Sequence, residues 1–192
     1  MVALVTGPGY GKVTTDTLRL NIGCGDYPLP GWLNIDEERQ SAADVVRRVP
    51  PLPFSDASVT EIYAGHFFEH LTPQDARLFL DESLRALVPG GRLGLMVPDT
   101  REVMRRYIFD EPAPLEFPEG HHRDMRDLDQ CCEVILFSTA QRSHHQWAYD
   151  KYTLARLLQR HGFVIDGEFD RFRDPRVAVG AWYQVGIDSH KP

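Results

Sequence analysis

Cysteine and lysine are scarce in this chain. Three cysteines occur among 192 residues, two of them adjacent as Cys131 and Cys132. They make no disulfide framework, and no CxxC or CxxH spacing offers structural zinc. Lys12, Lys151 and Lys191 are the only lysines, and the net charge is -7. That balance excludes a duplex nucleic-acid partner, which needs a basic face. Arg101, Arg105 and Arg106 still form a local basic group. No apolar run approaches the length that spans a bilayer, and the N-terminal segment lacks the basic-then-apolar order of a signal peptide. A cytoplasmic protein without a membrane partner is expected. The 42% apolar and 26% charged fractions are those of an ordinary globular protein, and 192 residues suit a single domain around one core.

What is present is an alternation of strands and helices. Residues 1–17 carry Gly7, Gly9 and Gly11 without periodicity and read as a loose leader. "GPGYGK" lacks the spacer and the final Ser or Thr of a P-loop. Short apolar runs at 18–22, 32–36, 43–46, 58–66 and 91–99 predict five strands. Between the last two, Thr72, Pro73 and Asp75 start a helix in the manner of a capping box. Ala76, Leu80, Leu84, Leu87 and Val88 continue it at helical spacing, and Gly90-Gly91 is expected to stop it. A short helix is predicted over 100–108, and another over 151–161 with Gly162 as its stop. Residues 110–146 are proline-rich and then polar, which predicts a lid-like insertion. "FVIDGEFDRF" and "RVAVGAWYQVGI" predict a terminal hairpin. Within the second run, "AWYQVGI" is either an edge that pairs in a homodimer or the central strand of the hairpin. The whole predicts an α/β layered sheet.

In such a sheet, ligands bind at the carboxyl ends of the strands. Gly23-Cys24-Gly25 leaves the first strand, so the backbone there can approach a ligand closely. Asp36 leaves the second strand, where a carboxylate accepts two bonds from the vicinal diol of a ribose. A dinucleotide fits poorly. Position 28 is proline rather than the third glycine, and Asp36 follows Gly23 too soon. The residues between the strands form only a turn, so no helix N-terminus follows to hold a pyrophosphate.

Five stretches in order, "LNIGCG", "GWLNID", "LPFSDASVTEIYAGHFFEHL", "LRALVPGGRLGLMVPD" and "HQWAYD…LL…GF", resemble the class I S-adenosylmethionine-dependent methyltransferases, and most of all a group of small predicted members. The resemblance covers about Leu18–Asp99 and Trp147–Phe163. It implies a Rossmann-like, mostly parallel sheet with an antiparallel C-terminal hairpin, helices on both faces and a shortened first crossover. It implies S-adenosylmethionine as cofactor, held by Asn21, Gly23, Cys24, Gly25, Asp36, Val49, Leu52, Gly65 and His66. Two positions depart from the pattern. Asn21 replaces the acid usual in the first strand. Arg48 replaces the acid that commonly meets adenine, which leaves backbone near Val49 and apolar contact from Leu52 for that base.

Methyl transfer from a sulfonium is an in-line displacement, so the protein supplies alignment and removes a proton from the acceptor. Glu69 and His70 resemble part of the metal-binding "E-x-x-E-H" of small-RNA 2′-O-methyltransferases and ubiquinone-pathway O-methyltransferases, with His66 at the first glutamate position. A late histidine, His144 or His145, then completes a divalent site. The resemblance implies Mg²⁺ or Mn²⁺ on Glu69, His70 and His145, and His66, His144 or His145 as base. Asp99, Tyr107, His121, His122, Trp147 and Tyr149 are candidate acceptor contacts, since aromatic platforms beside carboxylates suit carbohydrate hydroxyls. The expectation is O-methylation of a small acceptor, a sugar or an oligosaccharide or polysaccharide precursor. Metal-free methylation of carbon or nitrogen on a natural product is the alternative. A non-catalytic cofactor-binding domain is a third reading, disfavoured by so many ionisable groups near the methyl.

Overall fold

The computed structural model describes residues 18–109, 145–168 and 183–192. The expected loose leader falls outside these residues, as does the expected lid apart from His145 and Gln146.

Among the described residues, seven strands form one sheet: β1 (Arg19–Ile22), β2 (Leu33–Asp36), β3 (Val45–Val46), β4 (Val59–Gly65), β5 (Leu87–Pro98), β6 (Val164–Glu168) and β7 (Gln184–His190). Their order is β3-β2-β1-β4-β5-β7-β6. The first five run parallel, and β7 is antiparallel to both its neighbours. This is the predicted Rossmann-like arrangement. β7 lies between β5 and β6, so the part of "AWYQVGI" within it, Gln184–Ile187, is hairpin interior rather than a free edge.

The first crossover is short. Residues 23–32 join two parallel strands through turns alone, where parallel pairs usually need a helix. Side chains replace that helix. The Asn34 Oδ1 accepts from Leu29 N at 2.8 Å and from Asn21 Nδ2 at 2.9 Å. Asn34 Nδ2 donates to Asp44 Oδ2 at 2.8 Å and to Trp32 O at 3.1 Å. Asn21 and Asn34 are both buried, so these bonds satisfy groups that would otherwise be costly.

Three helices follow among the described residues: α1 (Pro73–Ala86), α2 (Thr100–Ile108) and α3 (Lys151–Arg160). Thr72 caps α1 as predicted, accepting from Asp75 N at 3.1 Å. Asp150 and Thr153 form a reciprocal capping box on α3, and Gly162 ends it at φ +90°. The C-terminal end of α3 meets α1, with the His161 Nδ1 2.6 Å from Asp81 Oδ1. One expectation fails here. Leu87 and Val88 belong to β5, not to α1. Pro89 disfavours helix at Val88, and Leu87 is already extended, pairing with Val59. The core is the layer between sheet and helices, with Leu20, Ile22, Ile35, Ile62, Phe68, Phe79, Leu93, Leu95, Leu154 and Leu158 fully buried.

Candidate functional site

The parallel ladders align the strand ends. Ile22 pairs with Ile35 and Ala64, and Gly65 pairs with Met96. Gly23, Asp36, His66 and Asp99 therefore sit along one edge of the sheet. Strand order reverses between β1 and β4, and a crevice opens at such a switch point. The site lies there, where the turn after β1 meets the turn after β4.

The β1 turn is built by its glycines and by Asp36. Gly23 has φ +68° and donates to Ile35 O at 2.8 Å. A Cβ on Gly23 would stand 2.7 Å from the Phe67 ring, so this glycine is required by packing before any ligand arrives. Gly25 has φ +50° and faces open space within 4 Å of a built Cβ. Asp36 accepts from Gly25 N at 2.8 Å with Oδ2 and from Glu38 N at 2.9 Å with Oδ1. Each bond uses one lone pair. A carboxylate offers about four such positions, so two remain for a diol. Cys24 is wholly buried.

The other cofactor candidates divide. Gly65 ends β4 buried against Met96. Val49 and Leu52 are buried. Leu52 is also tied to α1: its N donates to Glu82 Oε2 at 3.2 Å and its O accepts from Arg85 Nη2 at 3.1 Å. Arg85 further donates to Phe54 O at 2.8 Å and Asp56 Oδ1 at 2.7 Å, so the segment 52–56 is fixed in place. Arg48 is exposed, with Glu37 and Asp75 each 3.9 Å away.

Beyond β4 the chain makes a single 3-10 turn, Phe68–His70. His66 enters it at φ +50°, a strained conformation for a non-glycine residue. Its N–H donates to Met96 O at 2.9 Å. Its Nδ1 lies 3.1 Å from Glu69 Oε1 and its Nε2 lies 3.1 Å from Gln184 Oε1. A ring protonated on both nitrogens donates to both oxygens. Glu69 is buried, at 1% exposure, and Oε2 has no hydrogen-bond partner among the described residues. Burial pushes its carboxyl up, but the His66 bond and the imidazoles of His66, His70 and His145 outweigh that and leave it below the ordinary value.

Residues 145–147 return to the same place. Gln146 N and Trp147 N donate to Glu69 O at 2.8 and 3.2 Å. His145 Nε2 lies 3.9 Å from Glu69 Oε1, and the His70 and His145 rings meet edge to face at 4.7 Å. Glu69, His70 and His145 each place one ligand atom within 4.8 Å of the others. Two imidazoles and one carboxylate, whose buried Oε2 has no partner among the described residues, suit a divalent cation. His66 stands outside that group, bonded to Glu69 and Gln184.

The expected acceptor contacts are dispersed. Trp147 is half exposed beside Glu69, and Tyr107 is exposed at the end of α2. Tyr149 is buried, its ring 5.1 Å from Phe68, and burial and the Glu69 charge push its hydroxyl up. It supports the cluster from beneath rather than presenting a face. Asp99 caps α2 by accepting from Glu102 N at 3.2 Å, and burial raises its carboxyl. The expected basic group is neutralised: Glu102 binds Arg105 and Arg106, and Arg101 lies 3.8 Å from Asp150. His121, His122 and His144 lie outside the described residues. Sequence reading missed Gln184 and the seating of Phe67 on Gly23.

Residues 6–95 match the family model described as "Methyltransferase domain". No curated protein shows significant sequence similarity. Among solved structures, an S-adenosylmethionine-dependent methyltransferase of Thermotoga maritima superposes with TM-score 0.57 at 15% identity, over 91% of this chain and 82% of that one. One from Mesorhizobium loti gives TM-score 0.56 at 14% identity, over 91% and 90%. The 1,6-didemethyltoxoflavin-N1-methyltransferase of Burkholderia thailandensis, solved with its substrate and S-adenosylhomocysteine, gives TM-score 0.53 at 15% identity, over 91% and 70%.

Proposed function

We propose that this chain is a class I S-adenosylmethionine-dependent methyltransferase and that it methylates a hydroxyl of a small acceptor, a sugar or a saccharide precursor. The observation that carries the reading is the buried Glu69 with His70 and His145 gathered at the switch-point edge. In this reading the ribose lies on Asp36, with the Gly23–Gly25 turn beneath the cofactor. Asn21, Cys24, Gly65 and His66 shape the crevice, and Val49 and Leu52 close it on the adenine side.

The in-line displacement needs the acceptor oxygen behind the methyl group and its proton removed. Without an ion, His145 beside Glu69 serves as the base. A divalent cation on Glu69, His70 and His145, when bound, lowers the pKa of a coordinated hydroxyl. His66 holds Glu69 in place. Asp99, Tyr107 and Trp147 are the acceptor contacts of this reading. The reading keeps the enzyme in the cytoplasm, on composition and the scarcity of cysteine.

The toxoflavin enzyme acts on nitrogen, and metal-free methylation of carbon or nitrogen is the competing reading on the same fold. Transfer of labelled methyl to a panel of sugars, phenols and amines, with and without EDTA, separates them. Label on sugar hydroxyls, lost in EDTA, supports the proposal. Label on amines or carbon, unchanged by EDTA, supports its competitor.

A further inference from the structure

We infer that the Glu69–His70–His145 set selects a first-row transition-metal dication, such as Zn²⁺ or Co²⁺, and discriminates against Mg²⁺. The inference rests on the proposed divalent site and narrows what occupies it. The structure brings together two imidazole nitrogens and one carboxylate, with ligand atoms within 4.8 Å of one another. Mg²⁺ takes near-octahedral oxygen ligands and gives up water reluctantly, so a site with a single carboxylate and two nitrogens serves it poorly. Imidazole suits Zn²⁺, Co²⁺, Fe²⁺ and Ni²⁺, and affinity for N and O donors rises along that row above Mn²⁺.

The carboxylate count follows from how His66 is used. It occupies the position where a second carboxylate would add oxygen character. Its two ring nitrogens are instead 3.1 Å from Glu69 Oε1 and 3.1 Å from Gln184 Oε1. His66 is thus an outer partner that orients the carboxylate ligand, and Gln184 braces His66 from β7. Glu69 cannot swing to solvent: it is buried at 1% exposure, and its backbone oxygen accepts from Gln146 and Trp147. The carboxylate is the fixed ligand. His70 is exposed and His145 partly so, and these are the ligands free to adjust. Contact at ~2.1 Å in a tetrahedral site puts ligand atoms ~3.4 Å apart, so the His145 Nε2, 3.9 Å from Glu69 Oε1, closes on it by about half an ångström. Three protein ligands leave at least one position open on a four-coordinate ion. That position takes an acceptor oxygen, which links ion choice to the proposed hydroxyl chemistry.

The test is direct metal binding by the full chain, freed of metal, without turnover. Zn²⁺ and Mg²⁺ are titrated by calorimetry, and Co²⁺ is followed by its visible absorption. One Zn²⁺ or Co²⁺ per chain is expected at this site, held tighter than Mg²⁺ by on the order of 10²-fold or more. His70→Ala and His145→Ala should each abolish the site's Co²⁺ bands. His66→Ala and Gln184→Leu should retain them while weakening affinity by roughly 10–100-fold, as loss of an outer partner does. Mg²⁺ binding as tight as Zn²⁺ would overturn the inference and leave the divalent site standing. Co²⁺ bands that survive both histidine substitutions would overturn it as well. Binding of no dication would remove the inference and the divalent site together, while leaving hydroxyl methylation by a histidine base to the acceptor panel.

Discussion

Replacing Asp36 by alanine tests the cofactor grip. Asp36 already accepts Gly25 N at 2.8 Å and Glu38 N at 2.9 Å, and two further lone pairs face the proposed ribose. Hydrogen bonds to a charged group contribute about 1.5–3 kcal/mol each, so losing both ribose bonds costs about 3–6 kcal/mol. That is roughly a 10²–10⁴-fold rise in the dissociation constant. The two backbone bonds lost with them lie in a turn that water reaches, and they contribute about 1 kcal/mol apiece to stability. Affinity should therefore fall far more than melting temperature. Calorimetric titration with S-adenosylhomocysteine, paired with a thermal melt, measures both. A dissociation constant within about threefold of the parent in a chain that melts normally would falsify the ribose role.

Three further outcomes are expected. Gly25→Val meets no protein atom at its Cβ but forces a strained φ of +50°, costing about 1–2 kcal/mol in stability; cofactor binding should be abolished, whereas Gly23→Val should unfold the turn by driving into Phe67, and normal affinity in the Gly25 variant defeats the close-approach reading. His145→Ala should lower turnover by on the order of 10²–10⁴-fold with cofactor affinity unchanged, as expected for a lost base, and equal turnover would remove it from the chemistry. The Arg105 and Arg106 bonds hold the Glu102 carboxyl at about 2 in the folded chain, below its ordinary 4.5. Because the folded value is depressed, this stabilisation is complete above the unfolded value and is lost as pH falls towards 2. Glu102→Gln should thus melt slightly lower at neutral pH and converge with the parent in acid, and a gap that persists in acid contradicts the ion-pair cause.

Local pattern made much of this legible. The apolar runs that became β1, β2 and β4 end at Gly23, Asp36 and His66 because each run is short and stops at a glycine or a polar residue. Thr72, Pro73 and Asp75 announced α1 through cap chemistry that acts within three residues. The failures have both local and long-range causes. Leu87 and Val88 fall at helical spacing by coincidence, and the restriction from Pro89 overrides it. The register of β7 is set by pairing with β5, as Pro98 meets Gln184, a contact no local pattern encodes. Gln184 against His66 spans 118 positions, so its role was invisible. Glycine spacing at Gly23 pointed to ligand approach, while its first neighbour is Phe67.

In the proposed arrangement the sheet edge presents the methyl group to the Glu69 cluster. A crystal structure with S-adenosylhomocysteine and a sugar acceptor tests it most directly. The ribose hydroxyls should lie within hydrogen-bond distance of Asp36, and the thioether sulfur should face the crevice between Gly23 and His66. An acceptor oxygen should then stand between that sulfur and His145. A ribose away from Asp36, or a sulfur turned from the Glu69, His70 and His145 side chains, would contradict the account.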